Sequence, residues 1–467
     1  MREIVTLQFG QQANYVGTHF WNAQESYFTY GDESEPPVDH DIHFRPGIGA
    51  DGAETYTPRT VIYDLKGAFG TLKRENALYE VQEDNPHDQA LWNGSQNVLR
   101  QSQIPQSAYQ QALDQGLTPP SLSTDTVRFW SDYNRVFYHP RSIVQLHEHE
   151  LNSSLTPFER WDTGEELFSN LDREHDLLDR DLRPFLEECD AFQGVQLIAS
   201  VDDAWGGFTA RYLERIRDEL GKSSAWVWGL EDGSRKPRVT ALESATLSSR
   251  LRAGQVGRTS FNEIEAALTN DGNRRIAKLE FSVNDPAKLA AEDDGGDHHD
   301  PRMNGQTNGF TANGDGDALP RCISLQPPDV NLDGRRMPPR RTHLFSQTES
   351  LRGKWKSSLE IEDMNLASLD RFADGPRTQI SQSQLLFPLL DSFPQIYQFD
   401  AKPSKLAIQA SISTDTSVAD RIRSVERAAR TLVGVEEREA LCDGLISMCQ
   451  EYEEGWSSGS DDDEDED

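Results

Sequence analysis

Two adjacent carboxylates are the most chemically loaded feature of the sequence. Asp202 and Asp203 stand in the run 201–207 (VDDAWGG), and paired carboxylates can hold a divalent cation or share a proton in acid–base work. Neighbours on one turn rarely aim at the same proton, however. Placed just before a helix, the same pair would complement the positive end of its dipole, which is the simpler reading. His147, Glu148 and His149 offer a partial metal set but read more simply as a polar strand or loop; His298 and His299 lie in a polar insertion where no ligand cluster is pre-positioned. Four cysteines, Cys189, Cys322, Cys442 and Cys449, form no Cys-x-x-Cys pair, which argues against a disulfide framework and fits a reducing compartment. Cys442 and Cys449 are seven apart on a predicted helix and read as two buried apolar thiols on one face. No Ser–His–Asp arrangement has supporting context.

The elements that must position these groups alternate between strand and helix. Residues 4–9 (IVTLQF) form a short apolar run ending at Gly10, and Val16, Phe20 and Ala23 then recur at helical spacing. A second apolar run covers residues 60–65 (TVIYDL). Residues 83–120 are polar, Gln-rich and Pro-punctuated, and predict loops with short helices. In the aromatic segment 127–144, Phe129, Tyr133 and Phe137 repeat at i, i+4 and i+8, which predicts a core-packed helix ended by Pro140. Residues 180–189 look helical. Residues 195–200 predict a strand, 201–207 a turn, 208–220 an amphipathic helix with Phe208, Tyr212, Ile216 and Leu220 on one stripe, and 225–230 (AWVWGL) a buried strand. Strand, helix and strand at this spacing predict a parallel crossover in an α/β sheet. Residues 284–320 are rich in Asp, Gly and Asn and predict a disordered insertion. One long helix is expected over 418–454, capped by Asp415 and Ser417. The tail SSGSDDDEDED is charged and solvated, and Ser460, followed by acids, fits an acid-directed kinase.

The chain has 467 residues and a net charge of −33, of which the last seven residues supply seven, so acidity belongs to the whole chain. Such a surface repels phosphate backbones and anionic headgroups, which argues against broad nucleic-acid binding. Arg335, Arg336, Arg340 and Arg341 form the best local basic patch, most simply a solvated loop. No run of eighteen apolar residues is present, so no membrane span is expected. The opening residues read as a strand and not as a secretory or mitochondrial leader, so association with an organelle is expected from its cytosolic side.

The opening MREIVTLQFGQQANYVGTHFW resembles the start of a tubulin: Gln8, Gly10, Gln11, Asn14, Gly17, Phe20 and Trp21 fall in the family's order. Tyr56-Thr57-Pro58-Arg59 running to Asp64-Leu65 is similar to the tubulin Val-Pro-Arg…Val-Asp-Leu strand, and Cys189–Gly194 leads into the strand before tubulin's signature loop. More closely, the stretch 129–142 (FWSDYNRVFYHPRS) and the form of residues 199–208 resemble the Misato family of tubulin-like proteins. The resemblance covers residues 1–283 well and the C-terminal third more weakly. It implies an α/β fold, a tubulin-like nucleotide-binding-type parallel sheet flanked by helices and followed by a second α+β or helical region. The expected segments are 1–118 and 119–283 (tubulin-like), 284–320 (insertion), 321–455 (C-terminal region) and 456–467 (acidic tail).

The resemblance also implies where GTP would bind. Tubulins hold phosphates on glycine-rich loops at helix N-termini, where backbone N–H groups meet the anion. Gly10, Gln11, Gln12 and Asn14 match the first loop, with Ala13 replacing a glycine, and Asp64 matches the second strand. The main loop, Gly-Gly-Gly-Thr-Gly-Ser/Thr-Gly in the family, corresponds to 201–207, where Asp202, Asp203 and an indole precede Gly206 and Gly207. Two like charges at about 4 Å repel by roughly 1 kcal/mol in water and about 4 kcal/mol at an effective dielectric of 20, so the aspartates oppose a triphosphate. The hydrolytic Gly-x-x-Asn-x-Asp-x-x-Glu loop is echoed only at 328–336, where Asn331 and Asp333 fit but Pro328 and Arg336 do not. The reading is a vestigial nucleotide site, with no catalytic residue, no metal and no required cofactor, GTP being the ligand to test. What is implied of function is mitochondrial distribution, morphology and inheritance of mitochondrial DNA, carried out through protein partners at the mitochondrial surface, with tubulin or cytoskeletal assembly factors among them. A GTP-dependent switch or filament former, and a tubulin cofactor, are the rivals; direct nucleic-acid binding is not expected.

Overall fold

A computed structural model describes residues 3–29, 38–49, 52, 54–73, 76, 78, 104–201, 203–221, 223–230, 261–269, 274–284, 343–353, 377–392, 405–432 and 435–453. Asp202, the segment 285–320, the arginine patch, the 328–336 loop, His298, His299, Cys322 and the acidic tail lie outside the described residues. The chain divides into two compact units. One comprises Met1–Arg252, Ser260–Asn262 and Pro388–Ser404; the other Ala253–Thr259, Glu263–Phe387 and Lys405–Asp467.

The first unit is built on five parallel strands: β1 (Glu3–Phe9), β4 (Thr60–Lys66), β5 (Ile143–Glu150), β6 (Phe192–Ser200) and β7 (Ser224–Leu230), in the order β5-β4-β1-β6-β7. A hairpin of β2 (Phe44–Ile48) and β3 (Glu54–Pro58) precedes β4. Every residue of β1 is buried, as a central strand covered on both faces requires. On one face Val5, Leu7 and Phe9 pack with Tyr63, Leu197 and the helices α3 (Trp161–His175) and α5 (Ala204–Glu219). The ring of Phe9 stacks on Tyr63 at 5.2 Å, and the Tyr63 hydroxyl donates to Asp181 at 2.7 Å. Asp181 sits on a π-helical turn (Leu178–Leu182), clamped by Arg180, ahead of α4 (Arg183–Glu187); the helix expected over 180–189 is thus present, with one widened turn. On the other face, α1 (Gly10–Glu25) lies against a polar seam. Gln8 accepts from Trp21 Nε1 at 2.6 Å and donates to Asn14 at 3.2 Å, and Gly17 lets the helix approach that amide.

Two expectations for this unit are corrected. Residues 127–139 form no α-helix: the chain makes a 3-10 turn at Trp130–Tyr133 and another at Pro140–Ser142. The Asp132 carboxylate caps the start of this turn, accepting from the backbone N–H groups of Arg128 (2.8 Å) and Phe129 (3.1 Å), but Asn134 is extended (φ −69, ψ 137) and its side chain donates to the Val136 carbonyl at 2.7 Å, a local bond that competes with helix. Trp130, Tyr133 and Tyr138 are buried, whereas Phe137 is exposed. Strand β7 is an edge strand, and Val227 is exposed on it.

His43, at the start of the hairpin, is buried against Phe20 and Trp21, and burial, then the fields of Arg59 and His40, lower its pKa to about 3. A histidine with a folded pKa below its unfolded value of about 6.5 contributes stability that is complete above pH 6.5 and lost as pH falls toward 3. Replacing His43 by Phe therefore removes this dependence. Between pH 7 and pH 5 the wild type is expected to lose about 2 kcal/mol relative to H43F, read from urea midpoints at both pH values.

In the second unit β11 (Lys405–Asp415) is flanked antiparallel by β8 (Lys278–Asn284) and β9 (Leu344–Arg352), and β10 (Arg377–Ser383) runs parallel to β9. The carbonyl of Leu268, on α6 (Phe261–Thr269), accepts from the hydroxyls of Ser346 and Thr414. The single C-terminal helix expected from the sequence is two: α7 (Ser417–Leu432), whose first residue donates to Asp415, and α8 (Val435–Glu451). Val418, Ala419 and Ile422 bury against Cys449 and Tyr452. A straight helix rising about 1.5 Å per residue would hold those groups about 40–50 Å apart. Cys442 and Cys449 are both buried, in line with the reading as apolar thiols. Among the described residues no helix is long and apolar enough to cross a membrane.

Candidate functional site

Open parallel sheets bind ligands beyond the carboxyl ends of their strands, where helix N-termini converge. Here β1 runs into α1 at Gly10, and β6 leads to α5 through residues 201–203. Gly10 has φ +82, a conformation that glycine tolerates, and any side chain there would strike the Trp205 indole at 2.4 Å. The indole thus lies directly against the turn that opens α1. It is 5% exposed and meets Phe158 at 5.0 Å and Phe208 at 5.8 Å, both edge-on. Trp205 joins the apolar core as firmly as its neighbours do.

The second cradle element is also engaged from within. The helix expected to begin at Phe208 begins at Ala204, so Trp205, Gly206 and Gly207 form its first turn and not a loop. Asp203 is the N-cap, and its carboxylate accepts from the N–H groups of Trp205 (2.9 Å) and Gly206 (3.3 Å). These are amides that a helix N-terminus would otherwise offer to a bound anion. The glycines have a different use. A Cβ on Gly207 would lie 2.1 Å from the Trp161 carbonyl, one on Gly206 2.5 Å from the Trp161 ring, and one on Gly164 1.7 Å from the Ala204 carbonyl. Gly164, Gly206 and Gly207 therefore bring α3 and α5 into backbone contact.

Asp64, at the end of β4, collects the remaining matched residues. It is fully buried. Its Oδ2 accepts from Asn14 Nδ2 (2.7 Å), Gln11 Nε2 (3.1 Å) and Trp130 Nε1 (3.1 Å), and its Oδ1 from the Leu65 amide (2.9 Å). Burial raises its pKa to about 7 against the opposing pull of these bonds. Gln12 is half-buried on the same turn, and its side chain is not part of this network. The structure thus joins Gln11, Asn14 and Asp64 in one network and Gly10, Asp203, Gly206 and Gly207 in the neighbouring one. Trp130, Trp161 and Gly164 are the participants that sequence reading did not assign here. The Trp130 indole lies in the stretch 129–142 that resembles the Misato family, which is the signal that could have marked it.

Asp64→Asn would turn an acceptor that faces three side-chain donors into a group carrying two N–H bonds of its own. A loss of about 2–3 kcal/mol is expected, against little change for Gln12→Ala, measured by chemical denaturation at pH 8. Chemically, Asp64 and Asp203 are satisfied by internal donors and present no free base. His147 lies beside Gln145, and His149 beside Thr156 and Phe158. No set of three metal-ligating side chains comes together among the described residues.

Comparison with known proteins accords with this architecture. The sequence model of the Misato Segment II tubulin-like domain matches residues 2–115, and that of the Tubulin domain matches residues 119–260. Protein dml1 of Aspergillus oryzae is 44% identical over 99% of both chains, Protein DML1 of Phaeosphaeria nodorum 43% over 100% of both, and Protein dml-1 of Neurospora crassa 44% over 100% of both. With two tubulin-like domains matched in order and relatives above 40% identity from end to end, the chain belongs to the Misato family of tubulin-like proteins.

Proposed function

We propose that the protein is a non-catalytic tubulin-fold scaffold that acts, through protein partners at the cytosolic face of mitochondria, in the distribution of the organelle and the inheritance of its DNA. The observation that carries the non-catalytic part is the self-filled cradle, with the Trp205 indole against Gly10 and the Asp203 carboxylate on the amides that open α5. A guanine-nucleotide triphosphate does not fit these residues: its phosphates would have to displace a core tryptophan and meet a fixed carboxylate. The mitochondrial part is supported by the family to which the chain belongs. The net charge of −33 disfavours nucleic acid and anionic membrane as direct ligands and leaves a protein surface as the contact. Tubulin or cytoskeletal assembly factors are the first partners to examine, since a tubulin fold can present a tubulin-like edge.

The test is depletion in the cells that make the protein, scored for mitochondrial distribution and retention of mitochondrial DNA, with rescue by wild type and by Gln11→Ala. Clumped or unevenly partitioned mitochondria, rescued equally by both, are expected. Normal mitochondria and full DNA retention after depletion would contradict the organelle role, and failure of Q11A alone would contradict independence from nucleotide.

A further inference from the structure

Among the described residues, a charge of the N-terminal hairpin stands without a counter-ion. Arg59 is 4% exposed, yet among the described residues no carboxylate lies within ion-pair distance of its guanidinium. Among those residues its Nη1 meets the Cys189 sulfur, at 3.9 Å, and its buried Nε has no partner. Burying an unpaired cation is costly, so such a group points to an anion that completes it. Beside it, both ring nitrogens of His43 are buried and without a partner.

The hairpin ladder gathers more of the same chemistry. Phe44 pairs with Pro58 and Arg45 with Thr57, and the Arg59 N–H donates to the His43 carbonyl at 2.7 Å, which continues the ladder by one step. His43 and Arg45, two apart, therefore share a face with their partners Arg59 and Thr57. The segment ending α4 lies over this face. Glu188 pairs with Arg45 at 2.7 Å, next to the Cys189 contact with Arg59. The Arg45 and Glu188 side chains are 18% and 33% exposed, so this ion pair stands at the solvent margin while Arg59 stands behind. Glu3 is committed elsewhere, accepting from the amides of Asp190 and Ala191. The local field is positive in a strongly acidic chain: after burial, Arg45 and Arg141 are what lower His139 to about 4.

We propose that Arg59 and Arg45 form a binding site for a phosphate monoester dianion, which takes Arg45 from Glu188, engages both guanidinium groups and accepts a hydrogen bond from His43. Two arginines match the two charges of the ligand, and the planar forks suit bidentate phosphate contacts. A polyanion would be repelled by the acidic chain, whereas a single phosphate group, free or on a partner's serine side chain, meets only this local field.

The experiment titrates the purified full-length protein with inorganic phosphate and, separately, with a phosphoserine tripeptide, by calorimetry and by the rate of Cys189 alkylation. Binding with slowed alkylation is expected. Arg45→Gln is expected to weaken it about tenfold, and Glu188→Gln, which releases Arg45, to tighten it severalfold. Both side chains reach solvent, and folding of each variant is checked by circular dichroism. Preference for the peptide supports a phosphorylated protein partner, and equal binding supports free phosphate. Absence of binding by either at millimolar concentration, or binding indifferent to both substitutions, overturns the proposal.

Discussion

Trp205→Ala is expected to lower the stability of the first unit by about 3–5 kcal/mol without conferring nucleotide binding. The magnitude follows from what the indole touches. It is nearly inaccessible, lies against the Gly10 turn, and packs with Phe158 and Phe208 in the same cluster as Phe9 and Tyr63. Truncation removes that buried area and leaves a cavity that the neighbouring backbone, fixed by a parallel sheet, can close only in part. The absence of a gain follows from Asp203, which still caps α5 and still places a carboxylate where a phosphate would need the amides. The check is a pair of measurements on one variant: a guanidinium denaturation midpoint and a GTP titration. If the indole were a movable lid over a working site, the variant would lose little stability and bind GTP more tightly than wild type does.

Gly164→Ala is expected to destabilise by about 3 kcal/mol or more, and here two effects oppose each other. Helix propensity favours Ala over Gly by about 1 kcal/mol in a helix interior. The added Cβ would lie 1.7 Å from the Ala204 carbonyl oxygen and 2.9 Å from the Phe208 nitrogen, which are backbone atoms unable to rotate away. The helices must separate, and overpacking of this kind costs typically 1–3 kcal/mol and more where backbone has to move. Separation also disturbs the first turn of α5, so the Asp203 cap is lost together with the packing. A thermal melt decides the sign: a raised midpoint would mean that propensity wins and that the close helix contact is not required.

Much of the sheet was legible because its strands are short apolar runs. Residues 4–9, 60–65 and 195–200 each lie inside an observed strand, and the strand–helix–strand order carried the parallel arrangement. What was illegible depended on contacts distant in sequence. Aspartate and two glycines argue locally against a helix at 203–207, yet the chain is helical from Ala204 because α3 packs closely enough to require those glycines. The i, i+4, i+8 aromatics of 129–137 suggested a helix, but the chain turns extended at Asn134, whose side chain bonds the Val136 carbonyl after a single capped turn. At the C-terminus, Gly434 stands between the two helices as a stop signal that a single-helix reading of 418–454 passes over, and the burial of Val418 and Ile422 against Cys449 and Tyr452 shows the reversal.

The candidate site was legible in membership and not in purpose. Gln11, Asn14 and Asp64 could be matched to a nucleotide-binding ancestor residue by residue, and the fold does bring them together. Which donor closes the network depends on Trp130, sixty-six positions from Asp64, and no local spacing links the two. Trp205 reads in sequence as a damaged glycine loop; in the fold its indole lies against the turn after β1. The tubulin-like sheet is present, with a tryptophan contact at the turn after β1 and an aspartate cap on the N-terminus of α5.

The most direct test of this account is calorimetric titration of the purified full-length protein with GTP, with and without magnesium, paired with analysis of any co-purifying nucleotide and with melting temperatures. The account predicts no heat of binding, no bound nucleotide and no change in melting temperature, because a ligand that binds only the folded state must stabilise it. Magnesium-dependent binding at micromolar affinity, with a matching rise in melting temperature, would contradict it.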